Sequence, residues 1–317
     1  MVHPLILGLS VLWSAAAALG ATYSQSDSHQ GDGFYKSFNF QAISDPTNGR
    51  VNYVDMATAQ ADNLTYSSGD TFILRCDDTT VLSSSGPGRN SVRIQSNKQY
   101  LDHVAVFNIR HMPEGCATWP AVWEVGGDWP AGGEVDIVEG VNSQSPNQAT
   151  LHTNPGCTMP SSRSQTGTSV NNNCDADVDN NAGCGVQAPS TNSFGPAFNS
   201  AGGGWYAMER TSSFIKVWFW SRSSSSVPSD VENGDTSIDT SNWGTPFAYF
   251  PGTSCSMTEY FDWANIVINL TLCGDWAGES SVFADAGCSD SCVDYVNENP
   301  SAFKNAYFDF QWLKIYE

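Results

Sequence analysis

The run TWPAVWEVGGDWPAGGEVDIVEG, residues 118–140, holds three tryptophans and five carboxylates. A carboxylate taken out of water without a partner costs several kcal/mol, so a fold by itself selects few of them. Paired carboxyl groups are what acid/base and nucleophilic work at an acetal carbon demands, one protonated and one ionised. Tryptophans add flat apolar faces with a polar edge, the surface a sugar ring needs. On a strand, Glu134 and Asp136 share one face and Val135 and Ile137 the other. Glu139 has the wrong parity and would be buried among apolar side chains, which calls for a β-bulge at Ile137/Val138. With that bulge, Glu134 and Glu139 lie roughly 13 Å apart at Cα, about four strand rises. Their side chains can lean together to a carboxyl separation of roughly 5 to 5.5 Å, the spacing of a retaining glycosidase. Asp136 between them suits a relay that keeps one carboxyl protonated while its neighbour is ionised, because like charges this close push their titrations apart. Taken alone, E-x-D-x-x-E also describes a solvated acidic face on an edge strand. Tryptophans also fill cores, and for Trp119, beside Pro120, core packing and cleft floor stay equally open.

The elements that must position these groups read as strands. TFILRC at 71, SVRIQS at 91, HVAVFNIRHM at 103, GEVDIVEG at 133, WYAMERT at 205, FIKVWFW at 214, NIVINLTL at 265 and FDFQWLKIY at 308 are β-branched and aromatic, and Gly, Ser, Asn and Pro separate them. WYAMERT and FIKVWFW, divided by Ser212 and Ser213, form a hairpin. DSCVDYVNENPSAF near 290 is the best short helix, stopped before Pro300. Many short strands with such turns mean a sandwich or a barrel. Residues 154–204, with Cys157, Cys174 and Cys184, are too long for a plain connector and read as stapled loops near a functional face. No internal repeat or linker divides residues 21–317, which read as one domain.

Residues 1–20 read as a secretory signal peptide, apolar and ending in small residues, although the n-region has only the terminal amine and His3 as positive groups. A membrane anchor is the alternative, but Leu5 to Ala21 is short for a span. The expected destination is extracellular. Sequons at Asn63 and Asn269 agree with a secretory route. With 33 acids against 13 bases and no basic cluster, the chain lacks the contacts a nucleic acid requires. Nine cysteines in an oxidising compartment imply four bridges and one free thiol. In TFILRC, Cys76 shares the more apolar face with Phe72 and Leu74, so it is expected to be the buried free thiol. DADVDNN at 175 lacks the turn glycine and closing Glu of an EF-hand. No G-x-S-x-G, P-loop or H-E-x-x-H occurs.

ATWPAVWEVGGDWPAGGEVDIVEG, together with GRVNYVD at 49, GPGRNSVRIQS at 86, the run near 151 beginning LHT, GGGWYAMERTSSFIKVWF at 202 and CGDWAG at 273, resembles glycoside hydrolase family 16, within it the fungal laminarinases (endo-1,3(4)-β-glucanases). The E-x-D-x-x-E form is that of the laminarinases rather than the shorter one of the lichenases. The resemblance implies an all-β jelly-roll sandwich of two antiparallel sheets with a concave cleft. It casts Glu134 as nucleophile, Glu139 as acid/base and Asp136 as their assistant, with Trp123, Trp129 and Trp276 lining sugar subsites. His152 resembles a cleft histidine near the acid/base, with a structural rim histidine as the alternative, and Arg93 is a weaker substrate contact. The partner implied is a β-1,3-glucan, handled by a monomer without a cofactor. A structural calcium ion, carried by some relatives, is left open. Transglycosylation shares the covalent intermediate and stays open beside hydrolysis. A glucan-binding lectin fits the fold but not the presence of both glutamates.

Overall fold

The computed structural model describes residues 21–317, so the leader reading lies outside the described residues. The runs rich in β-branched and aromatic residues are strands, among them Thr71–Arg75, Arg93–Tyr100, His103–His111, Glu134–Glu139, Gly204–Arg210, Phe214–Ser221, Ala264–Leu272 and Tyr307–Tyr316. The hairpin pairs Arg210 with Ile215 and Gly204 with Ser221. The helix near 290 runs Cys292–Glu298, with Ser291 capping it by accepting from the Asp294 N–H, and it ends before Pro300.

Two antiparallel sheets stack face to face in a jelly-roll sandwich. One, of eight strands, carries the carboxylate strand Glu134–Glu139 between Gln148–His152 and Thr118–Gly126, followed outward by Ala264–Leu272, Arg93–Tyr100 and Phe38–Phe40. The other has nine strands, with Tyr307–Tyr316, His103–His111 and Gly204–Arg210 adjacent at its centre. Period-two alternation sends Val122, Val135, Ile137, Leu151, Ile266 and Ile268 of the first sheet inward against Phe107, Ile109, Met208, Ile215, Val217 and Leu313 of the second. Burial of this apolar surface is the main force holding the layers together.

Glu124, one of the five acids of the opening run, points into this sandwich. Fully buried, it is held by His103 Nε2 at 2.7 Å, with Arg210 Nη1 as a countercharge 3.8 Å from its other oxygen. The nine-stranded sheet also has a third layer on its outer face. Trp205, Trp218, Trp220 and Trp312 pack there with Val104 and Val106 beneath Val231, Ile238 and Trp243. These five tryptophans are core, far in role from the cleft.

Disulfides join Cys116 to Cys288, Cys157 to Cys255, Cys174 to Cys184 and Cys273 to Cys292. Cys76 is unpaired and buried, on the same side of its strand as Phe72 and Leu74. Residues 154–204 include the short strands Thr168–Ser169 and Val186–Gln187 at the sheet edge, and their loops are stapled by two of the bridges.

Candidate active site

The carboxylate strand pairs Asp136 with Trp123 and Val138 with Val122, so Ile137 is the extra residue of a β-bulge. The buried side chain of Asn147 braces that irregularity. It accepts from the Glu139 N–H at 3.0 Å and donates to the Ile137 carbonyl at 3.0 Å. Ile137 and Val138 both stay in the core, and Glu139 returns to the face of Glu134 and Asp136.

The tryptophans do more than offer flat faces. Trp119 Nε1 donates to Glu139 Oε1 at 2.9 Å, and Trp129 Nε1 donates to Glu134 Oε2. Each glutamate therefore has its own indole donor. Trp119 also meets Trp276 edge to face, with ring centroids 5.7 Å apart. Between its two proposed roles, Trp119 belongs to the cleft. Trp129 is half-exposed, and Trp123 donates to Asn269 Oδ1 at 2.8 Å.

Two expectations need correction. Asn269 faces the cleft but is 6% exposed, and its amide donates in turn to the Tyr53 hydroxyl at 3.1 Å, so it has no room for a glycan. Arg93 is also buried. Its guanidinium lies 4.9 Å over the Trp123 ring and donates to Gln41 Oε1 at 2.7 Å, so it backs the tryptophan instead of reaching freely into the cleft. Asn63, the other sequon, is exposed.

His152 pairs with Glu134 across the neighbouring strand, placing it on the acidic face. Its Nε2 lies 3.3 Å from Asp136 Oδ2, and its Nδ1 lies 2.8 Å from Asn181 Oδ1. Glu134, Asp136 and His152 each offer one donor atom within 4.8 Å of the others, the kind of set that could hold a cation.

Burial pushes the Asp136 carboxyl well above the usual carboxylate range, and the charge of Glu134 and a hydrogen bond to it add to the shift. Asp136 is therefore the protonated member, donating to Glu134. Glu139 keeps part of its surface open to the cleft. Loss of water around its carboxyl, then the neighbouring Asp136, push it up to about 8, while the Trp119 hydrogen bond pulls the other way. A carboxyl held protonated near neutrality is a competent general acid.

Two carboxyl groups on one face across a bulge, with tryptophans donating to them, on a jelly roll together define a glycoside hydrolase. The chain belongs to glycoside hydrolase family 16: the family model described as the XgeA-like catalytic GH16 domain matches residues 38–316. A probable glycosidase of Schizosaccharomyces pombe is 43% identical over 300 residues, which cover 93% of this chain and 70% of that protein. Endo-1,3(4)-beta-glucanase xgeA of Emericella nidulans is 40% identical over 319 residues, 97% of this chain and 49% of that protein. The chain thus spans about half the length of that relative and of the Aspergillus endo-1,3(4)-beta-glucanases it matches. Among solved structures, laminarinase 16A from Phanerochaete chrysosporium, with two β-glucans (6-O-glucosyl-laminaritriose) in its donor and acceptor sites, is 63% identical with a TM-score of 0.93, covering 94% of this chain and 100% of that one. An elongating family 16 β-1,3-glucosyltransferase is 39% identical with a TM-score of 0.84, covering 93% and 100%.

Sequence reasoning missed Asn147, Asn181 and the indole donors. Trp119 and Trp129 were visible as aromatic residues near the acids, but a hydrogen bond from an indole edge leaves no mark on spacing.

Proposed function

We propose that this chain is a secreted, monomeric endo-β-1,3-glucanase that cleaves β-glucan with retention. The observation that carries the reading is the placement of Glu134 and Glu139 on one face across the Ile137 bulge, each with its own indole donor. In the first step Glu134 attacks the anomeric carbon as the bond to the leaving oxygen breaks, and Glu139 gives that oxygen its proton. A glycosyl ester on Glu134 results. In the second step ionised Glu139 takes a proton from water, the water oxygen attacks the same carbon, and the ester bond breaks, restoring the original anomer. Asp136 donates to Glu134 while Glu134 is an anion, and two carboxyl groups working in this way call for no cofactor. The β-glucan in the 63% identical laminarinase supports the substrate class.

Similarity to a glucosyltransferase supports a second reading, in which a sugar hydroxyl resolves the ester. One experiment addresses both. Glu134→Ala given azide should yield the α-glycosyl azide, and Glu139→Ala the β product; the same anomer from both variants contradicts the roles. Products of the wild type acting on a β-1,3-glucan, followed by NMR, should appear first as the β-anomer, and elongated products would favour transfer.

A further inference from the structure

His152 sits inside a clamp that the catalytic roles do not use. The two ends of the loop 174–184, closed by the Cys174–Cys184 disulfide, hydrogen-bond to the residues on either side of it: Cys184 N–H to the Leu151 carbonyl at 3.1 Å and Thr153 N–H to the Cys174 carbonyl at 2.8 Å. Asp179, Asn180 and Asn181 all take the left-handed conformation, with φ of 51°, 56° and 59°. Gly183 lies so close that a Cβ there would come within 2.7 Å of His152 Cε1. Asn is a residue that tolerates left-handed backbone and still presents an acceptor on a short arm.

We infer that Asn181 is a positioning residue of this site: by accepting the Nδ1 proton of His152, it fixes the imidazole tautomer whose Nε2 lone pair faces Asp136. A neutral imidazole has one N–H and one lone pair, and a partner at one nitrogen decides the role of the other. Asn181 Oδ1 lies 2.8 Å from Nδ1. Nε2 is thereby left to accept, 3.3 Å from Asp136 Oδ2, a buried oxygen with no hydrogen-bond partner among the described residues. The proton of Asp136 then has two acceptors, Glu134 and His152. When Glu134 is an ester and no longer an anion, Nε2 can keep that proton in place. The other tautomer would point an N–H at Asp136 and leave the acid's proton no acceptor at His152.

The inference rests on the double displacement proposed above, and its test separates the two. Asn181→Gly removes the acceptor while suiting the left-handed backbone, and Asn181→Asp keeps an acceptor at Nδ1. Nitrogen-15 NMR of His152 should show a single Nδ1–H tautomer in the wild type and a mixture in Asn181→Gly. On a β-1,3-glucan, kcat of Asn181→Gly should fall about tenfold with KM nearly unchanged, and Asn181→Asp should recover most of the loss. An Nε2–H tautomer in the wild type, or an unaltered tautomer and kcat in Asn181→Gly, overturns the inference. A wild type that cleaves no glucan overturns the proposed function, and the NMR still decides the tautomer.

Discussion

Trp119, Trp123 and Trp129 each give their single N–H to a polar group of the cleft, two of them directly to the glutamates. An indole N–H donated to a carboxylate stabilises its charged form, and for Glu139 this works against the effect of burial. Trp119→Phe removes the donor, so the Glu139 carboxyl should rise further. The acid of the first step must be protonated, and a higher pKa keeps it so to higher pH. The alkaline limb of the kcat/KM profile should therefore move upward, by about half a unit or more; a limb that stays or moves downward contradicts the assignment of Glu139. Asn269 carries the second residue-scale expectation. Because its amide joins Trp123 to Tyr53, peptide mapping of protein made in a glycosylating host should find Asn269 bare, and Asn269→Ala should lower activity by loosening Trp123 while leaving the glycan mass unchanged.

At the scale of elements, one extra residue in the strand Glu134–Glu139 lets three acids share a face that strict alternation would deny to Glu139. Asn147 makes that local irregularity affordable by satisfying the backbone on both sides of it. The strand Thr71–Arg75 shows regular alternation instead. Phe72 and Leu74 are fully buried, and Cys76 follows them inward just past its end. Burial pushes its thiol up to about 12, so it holds little thiolate at neutral pH and has no path to reagent. Alkylation of the native protein should leave Cys76 unlabelled, and denaturation should make it the one cysteine that reacts without reduction. Label on Cys76 in the native state would show that the strand opens readily.

Across the whole molecule, the site is a local cost to stability. Glu139 has an ordinary value of ~4.3 in an unfolded chain and is pushed up to about 8 in the fold. Between these values the folded state binds more protons than the unfolded state, so this group lowers stability progressively as pH rises through the window. Glu139→Gln removes the titration. Its melting temperature should exceed that of the wild type by a margin that is small near pH 4.5 and grows toward pH 8, with activity lost. Calorimetry at the two ends measures that margin, and a gap that narrows with pH contradicts the environment assigned to Glu139. The sandwich core and four disulfides carry this cost, and two of those bridges hold loops beside the cleft: Cys174–Cys184 flanks His152, and Cys273–Cys292 closes the segment that carries Trp276.

What the sequence determined by itself was periodic and local. Parity along a strand put Glu134 and Asp136 on one face, required a bulge near Ile137 to bring Glu139 back, and sent Cys76 inward with Phe72 and Leu74. Side-chain direction follows from backbone geometry within a few residues, so spacing alone carries it. Only the tertiary structure decided what each side chain met. Asn269 reads as a sequon, yet it lies against Trp123, 146 positions away in sequence, and Tyr53, 216 away. Glu124 looks like its acidic neighbours, yet it is buried against His103 and Arg210. Trp205, Trp218, Trp220, Trp243 and Trp312 look like Trp123, yet they fill a third layer. Asn181 meets His152 across a sequence separation of 29, from a left-handed turn inside the loop that the Cys174–Cys184 disulfide closes. Which strands become neighbours, and which loop folds over which edge, depends on burying the apolar faces of the whole chain at once, and no local spacing records that outcome.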